Sequence, residues 1–329
     1  MGNLKKLSLV KTNEYAKWDS FVEQSSEGTI FSTTDYLSAV GRIFDLFFVC
    51  KGSTIVAGVC LIISDDRTRS ELDSMVIYSG ILFSPKDSHQ NFTSRLSDEF
   101  EITSFLIPEL LRFYERIEIA LVPSFKDLRP FLWHNYFSAD SKKCKIDLRY
   151  TSYLDISNCT KQNDNDSHAM FSNIGYSRRQ EVRHARLDKI SAEESEDISV
   201  LVDLYCHTMK NQGIVVSKRK LDIISNIGNK LLAIKKGSLI TVKNSKKIPV
   251  SAGLFCWDNK MGYYLIGASH PAIKERYSGT ILLWDSFFIL QNKGISILDL
   301  EGVNSPKRGW FKLSFGGKLI PYYKIYWNR

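Results

Sequence analysis

The pattern of apolar and polar positions divides the first half of the chain into short strands and amphipathic helices. Alternation with period two predicts strands, and apolar residues three or four apart predict helices. The turn Lys51-Gly52-Ser53 between two apolar runs is typical of a β-hairpin. In order, the pattern predicts a strand at 7–10, helices at 14–24 and 34–41, hairpin strands at 44–50 and 54–63, a charged loop at 65–74, a strand at 75–83, a helix from 97 to about 116 that Pro108 kinks or restarts, and a strand at 117–122.

The second half repeats part of this order. A strand beginning at Val250 resembles the one beginning at Val56, and it is followed by a turn at 258–259, a strand at 262–267, a helix at 278–292 and a strand at 295–300. A spacing of about 190 residues between similar segments indicates a duplicated domain rather than an array of short repeats. Residues 158–167 are polar and poor in apolar side chains, so we predict domains at 1–157 and 168–329 with this loop between them.

A basic helix is predicted at 170–190, just after that loop. Arg179, Arg183 and Arg186 are spaced i, i+4 and i+7, which places them on one face. Such a stripe is either a solvated surface or a binding surface, and the spacing alone does not distinguish the two.

The segment after residue 294 concentrates chemistry. In an extended strand Ile297, Asp299 and Glu301 share a face, which would carry both acids out of the core to an accessible rim. Arg308 and Lys312 follow within a few residues. Carboxylates beside cations suit a substrate that has both an amine and a phosphate. The alternative is a strand, a solvated turn and a second strand that carries Lys312 on the surface.

Composition sets wider limits. The 329 residues are 43% hydrophobic and 24% charged, as in ordinary soluble globular proteins of about two domains. The net charge of +8 suits phosphate-bearing small molecules, tRNA or an anionic membrane surface, and it also fits a generically basic enzyme. The six cysteines are scattered, which favours reduced thiols in the cytoplasm. No apolar run reaches the ~20 residues of a membrane span, so we expect a cytoplasmic protein with no integral membrane segment.

Several chemistries have no sequence support. The histidines lack the H-x-x-x-H and H-E-x-x-H spacings, so no metal site is predicted. The chain also lacks a Walker A motif, a G-x-S-x-G elbow and a dinucleotide-binding fingerprint.

Taken in order, the C-terminal motifs resemble those of the FemAB/FemX-type peptidyltransferases and of the tandem GNAT-like N-acyltransferases. The family pattern is roughly D-F-x-G, then F-K-x-x-F-G-G, then Tyr; here Leu300 stands where Phe is usual. The segments that carry the resemblance are Asp299 to Gly302, Phe311 to Gly317, Tyr322 and Tyr323, the basic helix around 179–185, the strand at 262–268, and 127–133 with 150–155 joining the halves.

The resemblance implies an α/β fold with mixed α+β sheets, built as two tandem GNAT-like acyltransferase domains with a cleft between them. It also implies transfer of an acyl group from acyl-CoA, or of an aminoacyl group from aminoacyl-tRNA, to an amine. The donor would be a co-substrate, with no tightly bound cofactor. The acceptor would be a bacterial cell-envelope precursor, such as a nucleotide- or lipid-linked amino sugar or a peptidoglycan intermediate. tRNA and peripheral contact with the inner membrane surface are further expected partners. Residues 190–247 show no sustained heptads, so a coiled-coil arm is missing or very short.

Residue roles follow from this chemistry and from the motif matches. Asp299 and Glu301 are candidate proton acceptors, because a substrate amine is mostly ammonium at neutral pH. Lys312 matches the family lysine and would neutralise the oxyanion or hold a donor phosphate. The expected substrate- or donor-binding residues are Arg179, Arg183, Tyr264, Arg276, Gly279, Arg308 and Tyr323.

Two points remain open on sequence grounds. The segment from Arg276 through Gly279 to Ile281 retains the Arg and first Gly of the CoA-binding pattern R/Q-x-x-G-x-G/A but has isoleucine at the last position. A non-catalytic RNA- or ligand-binding protein derived from the same fold is the alternative function, because the basic stripe and the aromatic side chains also suit RNA.

Overall fold

A computed structural model describes residues 6–85, 87, 89–138, 141–159, 164, 168–270 and 277–329. The chain divides into two compact units, residues 1–149 with 321–329 and residues 150–320. Both contain helices and strands, so the expected mixed α/β class is confirmed. Among the described residues, no helix has both the length and the apolar character needed to cross a lipid bilayer.

The first unit is built around an antiparallel sheet in the order β1-β2-β3-β4. Its elements are β1 (Leu7–Thr12), α1 (Tyr15–Gln24), a 3-10 turn (Ile30–Ser32), α2 (Thr34–Val40), β2 (Ile43–Lys51), β3 (Thr54–Ile63), β4 (Gly80–Phe83), α3 (Phe92–Leu110), β5 (Arg116–Ala120), α4 (Arg129–Trp133) and the start of β6 (Lys145–Asp155). The last residues of the chain return to this unit, where Lys324–Asn328 pair antiparallel with β5. Ile325 and Trp327 are buried in its core.

The second unit contains the rest of β6, and its strands follow the order β6-β11-β10-β9-β8-β7. Its elements are α5 (Ala169–Asn173), α6 (Tyr176–Leu187), β7 (Ala192–Ser195), α7 (Ile198–Asn211), α8 (Lys218–Ala233), β8 (Gly237–Lys243), β9 (Pro249–Trp257), β10 (Gly262–Ser269), α9 (Ser278–Gln291), β11 (Ile297–Asp299), α10 (Pro306–Leu313) and the start of β12 (Lys318–Asn328). Helix α9 is buried on nearly all sides, as expected from its lack of a polar face.

Strands β10 and β11 are parallel but pair over only two positions, Gly262 with Leu298 and Tyr263 with Asp299. Strand β10 then continues to Ser269, whereas β11 ends at Asp299. The pairing of the two strands therefore ends at Asp299, the first of the two predicted acids. The candidate site lies where this pairing ends.

The order strand, strand, helix, strand recurs in the two units as β3, β4, α3, β5 and as β9, β10, α9, β11. The two units divide at 149/150 and 320/321, and residues 321–329 of the final strand belong to the first unit. The domain bounds 1–157 and 168–329 stay a prediction. Of the polar loop 158–167, only Asn158, Cys159 and Asp164 are among the described residues.

Three of the differences from the predicted elements are explained by hydrogen bonds. The strand predicted at 75–83 is regular only from Gly80, because the Asp73 carboxylate accepts the Met75 N–H and forms a turn. The helix predicted from 97 begins at Phe92, where Asn91 caps it, and it ends at Leu110. The basic helix is broken before Gly175, whose N–H donates to the Ser314 carbonyl.

Candidate active site

Strand β11 leads into a strained turn that carries the two predicted acids. Glu301 has φ +50° and Gly302 has φ +48°, so two consecutive residues take the left-handed conformation. For a residue with a side chain this conformation is uncommon and costs about 1 kcal/mol or more. Asp299 stabilises the turn, since its Oδ1 accepts the Glu301 N–H at 2.8 Å and the hydroxyl of Thr151.

Both acids are buried, which corrects the prediction that they stand on an accessible rim. The exposed fraction is 0% for Asp299 and 4% for Glu301. The alternation of an extended strand ends at Asp299, because the next residues leave the extended region of backbone space. The acids therefore lie inside the second unit, where their charges are weakly screened.

Glu301 is the less satisfied of the two carboxylates. Among the described residues, its Oε1 atom is buried without a hydrogen-bond partner. Burial raises the pKa of Glu301 well above its usual range, and the charge of Asp299 adds to this effect. The positive charge of Lys312 opposes the shift but is the smaller influence. A carboxyl with a raised pKa and a free oxygen is suited to accept a proton.

Lys312 lies on helix α10, so the alternative of a surface lysine on a strand is wrong. Pro306 occupies the first turn of this helix, where its missing N–H costs nothing. The Lys312 ammonium donates to the main-chain carbonyls of Leu300 at 2.6 Å and Glu301 at 3.0 Å. Burial lowers the pKa of Lys312 to about 8, although the two acids act in the opposite direction. Lys312 is thus fixed against the backbone of the acidic turn.

Two close approaches fix helix α10 and the preceding loop. A Cβ atom at Gly309 would lie 2.4 Å from the carbonyl oxygen of Val303, so only glycine permits this packing. The Asn304 side chain donates to the Tyr150 carbonyl and accepts its N–H, both at 2.7 Å. Asn304 therefore ties the loop before α10 to strand β6, a role that no local sequence pattern indicated.

Tyr264 forms the aromatic wall beside Lys312. The Lys312 nitrogen lies 4.8 Å from the centre of the Tyr264 ring, and the ring stacks on Phe255 at 5.0 Å. The register of β10 against β9 shifts between Tyr264 and Ile266. A Cβ atom at Gly267 would lie 1.7 Å from the Tyr264 hydroxyl oxygen, so a side chain at position 267 would overlap the tyrosine.

Two tyrosines that the sequence analysis did not select flank Asp299. Tyr263 on β10 and Tyr153 on β6 are both its register partners. Burial raises the pKa of each phenol, and the negative charges of Asp258 and Asp299 raise it further. Tyr263 also donates to Asp258 at 2.7 Å. Both phenols are therefore protonated at neutral pH, and their placement depends on a strand register that local sequence patterns do not reveal.

The start of helix α9 lies next to helix α10. A Cβ atom at Gly279 would lie 3.8 Å from the ring of Phe311, the neighbour of Lys312 in sequence. Arg178 stacks over the same ring at 5.2 Å and donates to the Thr280 hydroxyl at 2.7 Å. Glu181 forms an ion pair with Arg178 at 2.8 Å. The predicted residue Arg276 lies outside the described residues.

The predicted arginine stripe has at least one structural member. Arg186 forms ion pairs with the buried Asp285 and with Asp164, so its role is structural. Arg183 lies 5.4 Å from the centre of the core ring of Phe171, and Arg179 lies 5.9 Å from that of Tyr176. A donor-binding role for Arg179 and Arg183 stays a prediction.

The remaining two predicted residues, Arg308 and Tyr323, belong to different units. Arg308 is exposed on α10 and donates to Gln212 at 3.2 Å, and its charge helps to lower the pKa of Lys312. Tyr323 belongs to the first unit, where its carbonyl accepts the Leu121 N–H and its side chain packs against that unit's core. The structure thus brings together Asp299, Glu301, Lys312 and Tyr264, with Gly279 nearby.

Comparison with solved structures identifies the fold. The structure of FemX aligns over 97% of this chain and 96% of its own, with a TM-score of 0.62 and 14% sequence identity. A tandem GNAT protein from the clavulanic acid biosynthesis pathway aligns over 98% of each chain, with a TM-score of 0.54 and 8% identity. The C-terminal domain of a putative lysylphosphatidylglycerol synthetase from Agrobacterium fabrum aligns over 96% and 92%, with a TM-score of 0.56 and 11% identity.

These similarities cover both chains almost completely, so this chain has the FemX-like tandem GNAT fold, as its motifs predicted. No protein-family model matches the sequence, and no curated protein matches it significantly. At identities of 14% and below, the likeness concerns the fold and not the substrate.

Proposed function

We propose that this protein is an N-acyltransferase whose transfer site contains Glu301 and Lys312. The observation that carries the proposal is a buried carboxyl with a raised pKa and a free oxygen, beside an ammonium group held on the same turn. Burying such groups costs free energy unless they are paired, so their presence indicates a function. The fold supports the reaction class, because the solved structures that align with this chain include an acetyltransferase of the GNAT family from Colwellia psychrerythraea.

Glu301 is the proposed general base. A substrate amine that binds as ammonium would give its proton to the Glu301 carboxylate, and the freed nitrogen would attack the acyl carbonyl carbon. The C–N bond forms while the C–S bond of a thioester, or the C–O bond of an aminoacyl ester, breaks. The Lys312 charge lowers the energy of the oxyanion that develops on the carbonyl. As the tetrahedral intermediate collapses, its nitrogen loses a second proton, which passes to the departing thiolate or alkoxide, and Glu301 then releases the first proton to solvent.

Asp299 is a positioning residue in this scheme. Its Oδ1 is already occupied by the Thr151 hydroxyl and the Glu301 N–H, and these bonds maintain the left-handed turn. Removing them would release the turn that presents Glu301. Asp299 therefore acts on the reaction through Glu301, which separates the roles of two carboxylates that the sequence could not distinguish.

The donor and acceptor are proposed by analogy with the similar structures. Acyl-CoA is the first proposed donor class, because the tandem GNAT protein was solved as the form without AcCoA, which names AcCoA as its ligand. Aminoacyl-tRNA is the second proposed donor class. The proposed acceptor is an amino group of a nucleotide- or lipid-linked cell-envelope precursor, such as an amino sugar or a peptidoglycan intermediate. Within the second unit, the residues that we propose to contact these substrates are Arg179, Arg183, Tyr264, Gly279 and Arg308.

The first test is calorimetric titration with acetyl-CoA, with an uncharged nucleotide as control. Micromolar binding, about −8 kcal/mol, would support the CoA branch. No heat from folded protein would direct the next assay to aminoacyl-tRNA. Once transfer is measured, Glu301→Gln should lower the rate by about 10²- to 10⁴-fold. An unchanged rate refutes the base assignment. RNA binding without transfer from any donor favours the non-catalytic alternative.

A further inference from the structure

The first unit exposes an unusual concentration of large apolar side chains at the end of helix α4. The exposed fraction is 56% for Leu132, 53% for Trp133, 60% for Tyr136 and 99% for Phe137. Single exposed apolar residues are normal on protein surfaces, but four within six positions form a patch. We call these four residues the aromatic loop.

The aromatic loop is held in shape by its own contacts. The Asn135 side chain donates to the Lys142 carbonyl at 2.8 Å, and Asn135 itself takes a left-handed conformation with φ +56°. The rings of Tyr136 and Phe137 meet edge to face at 5.1 Å. Trp133 contacts the ring of Phe100 at 5.4 Å. These contacts hold Trp133 against Phe100, Asn135 against Lys142, and the rings of Tyr136 and Phe137 against each other.

Lysines follow the aromatic loop at its base. The bond from Asn135 to Lys142 brings Lys142 and Lys143 next to the loop, and both are exposed. The Lys142 ammonium donates one of its three N–H groups to the Arg329 carbonyl at 2.6 Å. The Lys145 nitrogen lies 5.7 Å from the ring centre of Tyr326 at the same unit's last strand. Arg129 is paired with Asp127, so it contributes little net charge. Asp140 lies outside the described residues and reduces the positive balance of the segment by one.

We infer that the aromatic loop docks the protein on an anionic lipid surface. Tryptophan and tyrosine favour the headgroup region, phenylalanine and leucine the acyl boundary, and adjacent lysines the anionic phosphates. The inference concerns the first unit and is independent of the proposed transfer site. RNA is the competing partner, but single-stranded RNA stacks on aromatic side chains that line a groove, whereas Phe137 is exposed over 99% of its surface at a loop tip.

Vesicle co-sedimentation of the full chain tests this inference. We expect binding to vesicles made of equal parts phosphatidylcholine and phosphatidylglycerol, and much weaker binding to pure phosphatidylcholine. Replacing Tyr136 and Phe137 together by serine should reduce the partition coefficient roughly tenfold or more. The double change Lys142→Glu with Lys143→Glu should reduce it by a similar factor at low salt, and high salt should diminish that difference.

Matched controls separate the loop from general surface properties. Phe92→Ser removes an exposed phenylalanine elsewhere on the same unit, at 75% exposure. Lys246→Glu with Lys247→Glu reverses an adjacent exposed lysine pair in the turn before β9. Both controls should bind vesicles as the parent does, and all variants should keep the parent circular dichroism spectrum. Equal vesicle binding by loop variants and parent would overturn the inference, and so would loop-dependent binding of a short single-stranded RNA without vesicle binding.

Discussion

The Lys312 nitrogen lies 4.8 Å from the centre of the Tyr264 ring, so a cation from helix α10 rests on an aromatic face of strand β10. A cation–π contact favours the charged form of the lysine and opposes the burial that lowers its pKa to about 8. The aromatic ring therefore contributes to keeping Lys312 charged at neutral pH.

Tyr264→Leu should lower the pKa of Lys312 further, because the leucine has no π face. If transfer requires charged Lys312, the alkaline limb of the pH–rate profile should move down by about 0.5 to 1 pH unit. Tyr264→Phe keeps the ring and is the matched control, with a limb near that of the parent. Measured kcat/KM between pH 6 and about pH 10 decides this. An alkaline limb that is identical in all three proteins would show that Lys312 does not control it.

Glu301→Gln should make the protein more stable at neutral pH while lowering the transfer rate. Folding raises the pKa of Glu301. Between the unfolded and the folded pKa, the folded state holds a proton that the unfolded state has released. The free energy of unfolding therefore falls as pH rises from the ordinary carboxyl range through the folded pKa. Glutamine removes this loss. We expect a gain of about 1–3 kcal/mol at pH 7.5 and a much smaller gain near pH 4.5.

Urea unfolding at the two pH values measures this difference. Glu196→Gln is the control, because Glu196 is exposed and its replacement should change stability by less than about 0.5 kcal/mol. Lys312 has an effect of the opposite sign at higher pH. Because its pKa is lowered from 10.5 to about 8, the free energy of unfolding rises between about pH 8 and pH 10.5. A parent stability that does not fall between pH 4.5 and 7.5 relative to Glu301→Gln would contradict the assignment.

Gly267→Ala should destabilise the second unit by about 2–4 kcal/mol, because its methyl group would overlap the Tyr264 hydroxyl. The double variant with Tyr264→Leu should recover much of this loss. A double-mutant cycle from urea unfolding gives the coupling energy, which should exceed about 1 kcal/mol. Additive effects of the two changes would mean that Tyr264 does not occupy the space above Gly267.

Arg186→Met should reduce the free energy of unfolding by about 3 kcal/mol or more, because it leaves the buried Asp285 without its cationic partner. The Asp285 carboxylate also accepts the Ala192 N–H at 2.8 Å, so the loss should extend to the start of β7. Lys307→Met, at an exposed position, should change stability by less than about 0.5 kcal/mol. Equal stabilities of these two variants would show that Arg186 is not a structural member of the basic stripe.

Local patterns were sufficient for much of the fold. The hairpin around Gly52 and the strand, helix and strand order of the duplicated halves depend on periodicities and turns that act over a few residues. The motif resemblance also selected Asp299, Glu301, Lys312 and Tyr264, which the structure places together. These predictions needed no knowledge of which strands pair.

The errors arose where distant residues decide the local conformation. Glu301 leaves the strand because Asp299, held by Thr151 from another strand, bonds its N–H. The flanking roles of Tyr153 and Tyr263 depend on register across β6, β11 and β10. Helix α10 is different, because the pair Ser305-Pro306 is a recognisable helix start. That signal was present and could have placed Lys312 on a helix.

The return of the last strand to the first unit has a consequence for synthesis on the ribosome. Strand β5 pairs with residues 324–328, and the Trp327 indole donates to the Ile107 carbonyl in the same unit. These partners are separated by about 200 residues, so the loop that closes is long and its closure slow. Residues 150–320 are translated before the first unit can complete its core. The unit encoded first therefore completes its core only after the whole of the second unit has been translated.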